Sequence, residues 1–201
     1  SIDIAYFIHS NIFYFRIIGL LIILFPAFYF LWMGNLRAKL LTSAALGFYF
    51  LIFFMFTNRM VADKMFYQPA VKTFANATGN KIAENDLVIG VSIKGDAKAY
   101  PIEIIGYHHQ VRDTIGNEPV MITYCTVCRT GRVFSPFVDG KEEQFRLVGM
   151  DHFNAMFEDA STQSWWRQVN GEAMVGPLKG KSLTEIPSQQ MTLEAWMDRH
   201  P

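Results

Sequence analysis

Cysteine is nearly missing from these 201 residues; Cys125 and Cys128 are the only two. With no second cysteine pair, a closed zinc site of the usual four ligands needs histidines to complete it. Net charge is missing too, because 18 basic residues face 18 acidic ones. Nothing therefore points to nucleic acid as a partner. The chain has no Walker loop, no dinucleotide fingerprint, no internal repeat and no low-complexity segment, so no nucleotide cofactor is signalled. Charge is wholly lacking in one stretch, Ile17–Leu36 (IIGLLIILFPAFYFLWMGNL), and in a second, Leu40–Asn58 (LLTSAALGFYFLIFFMFTN).

About 20 apolar residues are enough to cross the hydrocarbon core as a helix. A helix in a soluble core keeps one polar face, and neither stretch has one. Two spans, with no small-residue cleavage pattern after the second, also argue against a signal peptide. The expectation is two transmembrane helices within an anchor or assembly module at residues 1–64, with Pro26 kinking the first. The connection GNLRAK carries Arg37 and Lys39, while Arg16, Arg59 and Lys64 flank the other ends. Basic loops are retained in the cytoplasm, so the short loop is expected inside and both termini outside. That places the rest of the chain on the periplasmic or extracytoplasmic side of a bacterial inner (cytoplasmic) membrane. Neither span carries an ionisable residue at mid-depth, so transport is not indicated. The lipid bilayer is the expected partner. Phe48, Tyr49, Phe50, Phe53, Phe54 and Phe56 offer either a lipid-facing belt or a packing surface for other membrane-complex subunits.

Residues 65–85 read as a linker, with Pro69 and the polar stretch Asn76 to Lys81. Residues 86–201 read as a soluble domain. LVIGVSI, the turn KGD and AKAYPI form a hairpin pattern. EIIGYHHQV continues as a strand-like run, TIGNEP is a turn and PVMITYC is β-branched and strand-like. Asp139-Gly140 between alternating runs signals another hairpin. TLEAWMDRH suits a short helix with Thr192 as N-cap. The fold class is therefore two N-terminal transmembrane α-helices followed by a mainly antiparallel, β-rich α+β domain.

Cys125 and Cys128 stand in TYCTVCRTGRVF. Covalent c-type haem needs His after the second cysteine, and Arg129 is there instead. A thioredoxin-like pair opens a helix, where the dipole lowers a thiol pKa; here a turn and strand follow. Arg129 and Arg132 still favour a thiolate. A structural disulfide across so short a loop excludes little unfolded-chain entropy. The remaining reading is a thiol-redox or soft-metal site, with copper(I) or zinc suited to thiolate and imidazole ligands. His108, His109 and His152 are the available imidazoles. On a strand only one of His108 and His109 faces the cysteines.

The soluble part resembles the "domain of unknown function 3179" family of bacteria and archaea from about Glu84 to Pro201. The resemblance runs through DLVIGVSIKGDAKAYPI, GYHHQVRDTIG, TYCTVC, SWW, GEAMVGPLKG and TLEAWMDRHP, in that order. It implies an aromatic–His step at Tyr107-His108, an Asp at Asp113 and the cysteine pair at Cys125 and Cys128. His108 is thereby favoured over His109. Thr126 stands where the family usually has Pro, and Arg129-Thr130 where it usually has Gly-Ser. The resemblance implies no established reaction.

The expected site is Cys125, Cys128 and His108, as metal ligands or redox partners. His152 is a further candidate, and Asp113, Arg129 and Trp165 are supporting residues. The rival expectation is a non-catalytic accessory subunit of a membrane complex, with Cys125 and Cys128 in a structural disulfide.

Overall fold

Long uninterrupted apolar runs make long helices, because each residue added to a nucleated helix brings one backbone hydrogen bond. The computed structural model describes residues 1–201 as two units, Ser1–Met65 and Phe66–Pro201. The first unit is helical: α1 Ile2–Ser10, α2 Ile12–Met33, α3 Leu36–Asn58 and the single turn α4 Ala62–Met65. Helices α2 and α3 have 22 and 23 residues with mean hydropathies of 2.1 and 2.0. By length and composition each could cross a membrane. Phe25 and Trp32 expose 84% and 73% of their surface, so the unit's large apolar side chains do not form a water-excluding core.

The break between α2 and α3 is shorter than expected. Only Gly34 and Asn35 separate them, and the Asn35 side chain accepts the Ala38 amide at 3.0 Å as an N-cap. Leu36 therefore opens α3 rather than closing α2, and Arg37 and Lys39 stand in the first turns of α3. Pro26 lies inside α2 without ending it.

The second unit is β-rich. In chain order it contains β1 Leu87–Ile93, β2 Asp96–Pro101, α5 Ile102–His108, β3 Gln110–Ile115, β4 Glu118–Cys125, β5 Thr130–Phe134, β6 Phe137–Val138 and β7 Lys141–Glu142. It continues with β8 Phe145–Asp151, β9 Asn154–Asp159, β10 Trp165–Arg167, β11 Ala173–Val175, β12 Gln189–Thr192 and α6 Leu193–Arg199. The sheets run β12-β1-β2, β3-β4-β5 and β11-β10-β9-β8, with a small β6-β7 ribbon. Every pairing is antiparallel. Lys94-Gly95, Gly116-Asn117 and Asp139-Gly140 make the tight turns, all at positive φ, as two-residue hairpins require. The Asp139-Gly140 hairpin is short. The longer run beyond it, from Phe145, pairs with β9 instead.

Alternation along β4 divides the domain. Val120, Ile122 and Tyr124 join Ile89, Val91, Ile105, Val111, Ile115 and Val133 in one apolar core. Met121, Thr123 and Cys125 lie on the opposite face, where Gln168 from beyond β10 bonds Thr123. The outer side of β1 is closed by α6. Its Thr192 cap accepts the Ala195 amide, and Val88, Leu193 and Trp196 cluster there.

One expected strand is a helix. Residues 102–108 form α5, and only Gln110 onward is strand. Ile105 and Gly106 are its buried residues, so it presents one short apolar face rather than alternating sides. Gly106 allows α5 to approach the cysteine loop closely: a Cβ there would lie 3.1 Å from Thr126 Cγ2. The helix ends at His109, at φ 59°, whose amide bonds the Ile105 carbonyl at 2.7 Å. His108 and His109 are thus a last helical residue and its left-handed cap, and strand alternation does not relate them.

Candidate thiol site

A four-residue loop, Thr126–Arg129, joins β4 to β5 and is closed by the Cys125–Thr130 pair. Cys125, the last residue of β4, is completely buried. Cys128 lies in the loop and is half-buried, and both are free thiols. Arg129, at φ 51°, turns the chain back into β5.

A second hairpin meets this loop. Asp151 pairs with Asn154 across β8 and β9, leaving His152 and Phe153 as the turn. Both have positive φ, 45° and 64°, in a turn type that favours Asn-Gly. The Phe153 carbonyl accepts the Cys125 thiol at 3.4 Å. The Asn154 side-chain amide donates to Cys128 Sγ at 3.1 Å.

Buried polar groups hold Asn154 in that pose. Its Oδ1 accepts the Val169 amide at 3.0 Å, and its Nδ2 also reaches Gln168 Oε1 at 3.3 Å. Gln168 in turn donates to Thr123 Oγ1 at 3.0 Å and to the Thr130 carbonyl at 2.9 Å. Asn154 and Gln168 therefore tie the two hairpins together with their bonding capacity well used.

The environment splits the two thiols. Burial pushes the Cys125 thiol up, and its bond to Cys128 adds to that. Burial also acts upward on Cys128, but its side-chain interactions with Cys125, Asn154 and Thr130 outweigh it, Asn154 donating directly to the sulfur. Cys128 ends below the ordinary thiol value. Donors to a sulfur stabilise its anion, so Cys128 is the thiolate-forming member and Cys125 the proton-holding one.

The sequence profile of the family described as protein of unknown function (DUF3179) matches residues 66–201. The chain belongs to this family. No curated protein and no solved structure matches it.

Within this DUF3179 domain the other expected site residues are scattered. His108 Nδ1 is 2.6 Å from the Tyr67 carbonyl, and its ring packs edge-on against Tyr67 and Tyr107. His109 Nδ1 lies 3.0 Å from the carbonyl of Tyr124, the residue before Cys125, and its ring meets Phe66. His152 is in the turn above the thiols, but its Nδ1 pairs with Asp151 Oδ1 at 2.8 Å. Asp151 also receives Arg167 at 2.7 Å. Burial pushes the Asp151 carboxyl up, yet Arg167 and His152 outweigh this and hold it below the usual range. No three His, Cys, Asp or Glu side chains are grouped to hold a metal ion.

Asp113 pairs with Val120 near the far end of β4, five residues from Cys125, or roughly 17 Å along a strand. There it accepts the Tyr100 hydroxyl at 2.7 Å and pairs with Lys98 at 3.4 Å. Trp165 bonds Glu158 at 2.9 Å, four residues along β9 from Asn154. Arg129 is exposed beside Cys128.

The residues missed in the sequence are Asn154, Gln168 and Thr130. A signal for two of them was present. Asn154 and Gln168 are polar residues beside the strand-like runs AMFED and WWR, and buried polar groups in such places need partners.

Proposed function

We propose that this domain is a thiol–disulfide redox module carried on a membrane anchor, with Cys128 as attacking thiol and Cys125 as resolving thiol. The observation that carries this is the asymmetry of the pair. Cys128 is half-exposed and supplied with donors, while Cys125 is buried and keeps its proton. Exchange needs an accessible thiolate and a second thiol close behind it.

In the reducing direction the Cys128 thiolate attacks one sulfur of a partner disulfide. A mixed disulfide forms, and the partner's other sulfur leaves as a thiolate and takes a proton from water. Cys125 then gives its proton to solvent and attacks Cys128 Sγ. The Cys125–Cys128 bond forms, and the partner's first sulfur leaves as a thiolate. Two electrons have passed from the protein dithiol to the partner disulfide, and the reverse sequence oxidises a partner dithiol.

For copper or zinc the chain's own residues supply two sulfurs and no grouped third ligand. A four-coordinate zinc site therefore does not fit these residues alone; two thiolates still suit copper(I), and it is the asymmetry of the pair that favours the redox reading. The anchor reading rests on α2 and α3. The extracytoplasmic orientation rests on Arg37 and Lys39 in the first turns of α3, just after the short break, and an oxidising compartment suits a cycling disulfide.

The test uses the full chain in detergent. Cys125→Ser should accumulate a stable mixed disulfide with oxidised glutathione, because no resolving thiol remains. Cys128→Ser should form little, since Cys125 is buried. Equal trapping by both variants, or none by either, would contradict the assignment.

A further inference from the structure

We infer that the thiol site acts on a disulfide within an extended polypeptide bearing an apolar side chain next to its cysteine. This rests on the redox reading above and adds a substrate class to it. Three apolar side chains are exposed on the two hairpins that carry the thiol site. Val127, between the cysteines in sequence, is 56% exposed; Phe153 is 76% exposed; Met150, on the strand entering the same turn, is 54% exposed. They belong to the two hairpins that supply the contacts to the thiols. The Phe153 carbonyl receives Cys125, and its neighbour Asn154 bonds Cys128.

Phe153 is costly for folding. A bulky residue at φ 64° sits in a sparsely populated backbone region, and an exposed ring regains nothing by burial. Glycine or asparagine would make the same turn with less strain. What phenylalanine provides is apolar surface one residue from the group that holds the Cys128 thiolate. A small hydrophilic disulfide has nothing to lay against Val127 and Phe153, whereas a peptide with an aromatic or aliphatic residue beside its cysteine does. The bond-making step is unchanged: Cys128 attacks the substrate sulfur, and the other substrate sulfur leaves as a thiolate that is protonated by water.

The experiment follows mixed-disulfide formation by mass in the Cys125→Ser full chain in detergent. The probes are two disulfide-linked peptide dimers, with charged ends and identical except for Phe or Gly next to the cysteine, and oxidised glutathione. Burying one large apolar side chain predicts that the Phe peptide reacts about tenfold faster than the Gly peptide. That ratio should fall towards one in Phe153→Ala and, independently, drop in Val127→Ser. Equal peptide rates, a ratio surviving both substitutions, or glutathione outpacing the Phe peptide would overturn this inference and leave the redox reading standing. No mixed disulfide with any probe would overturn both.

Discussion

Asn154 is one of the side chains that lower the Cys128 thiol pKa, and it donates directly to the sulfur. Its amide donates to Cys128 Sγ at 3.1 Å while the backbone of Val169 holds its oxygen. Removing the donor in Asn154→Ala takes stabilisation from the thiolate, so the Cys128 pKa must rise. Site-resolved alkylation with iodoacetamide should show its reactivity midpoint moving up by roughly one pH unit, with slower reaction at neutral pH. An unmoved midpoint would remove Asn154 from the account. Asp151 gives a second residue-level test, with the opposite kind of readout. Its carboxyl is held low against burial by Arg167 and His152. Its contribution to stability is therefore complete above the unfolded carboxylate value of about 3.9 and is lost as pH falls through the lower folded value. Asp151→Asn should cost about 1 kcal/mol in urea unfolding near neutral pH and match the parent in strong acid. A deficit independent of pH would mean that packing, not the ion pair, is responsible.

Elements meet in this domain at glycines, and these contacts can be tested without touching the thiols. A Cβ on Gly90 of β1 would overlap the Trp196 indole of α6. Gly90→Ala should therefore destabilise the domain by about 1–3 kcal/mol, read as a lower thermal midpoint, and an unchanged midpoint would contradict that packing. The same logic explains what the sequence showed and what it hid. Hairpins at Lys94-Gly95 and Asp139-Gly140 were legible because turn residues and alternation are local signals. So was α6, whose Thr192 cap and basic last turn lie within nine residues. The cysteine pair was legible as chemistry, because nothing else in the chain has that spacing. Helix α5 was not. Its seven residues span barely two turns, and β-branched Ile102, Ile104 and Ile105 favour strand locally. Tertiary packing of Ile105 and the fit of Gly106 on Thr126 decide for helix. That error carried His108 towards the thiols on paper, while the fold turns it to Tyr67. Asn154 and Gln168 lie 29 and 43 residues from Cys125 in the chain, so no local pattern could place them beside it.

At the scale of the whole chain, two long apolar helices precede a domain that the family profile covers from residue 66. With Arg37 and Lys39 in the first turns of α3, beside the break between the helices, a reporter fused after Pro201 should behave as extracytoplasmic; a cytoplasmic signal would reverse the orientation. Size after gentle extraction separates a free anchored redox protein, which runs as a small species, from an accessory subunit, which travels with its partners. The central claim is that Cys125 and Cys128 form one reversible dithiol–disulfide couple. Its most direct test is a redox titration of the full chain in glutathione buffers, with free thiols alkylated and counted by mass at each potential. The account predicts a single two-electron transition in which both thiols disappear together with no gain of glutathione mass; Cys125→Ser should instead lose its one thiol as a glutathione adduct, and Cys128→Ser should keep its buried thiol free. Two thiols that stay reduced throughout, or that disappear at separate potentials, would contradict it.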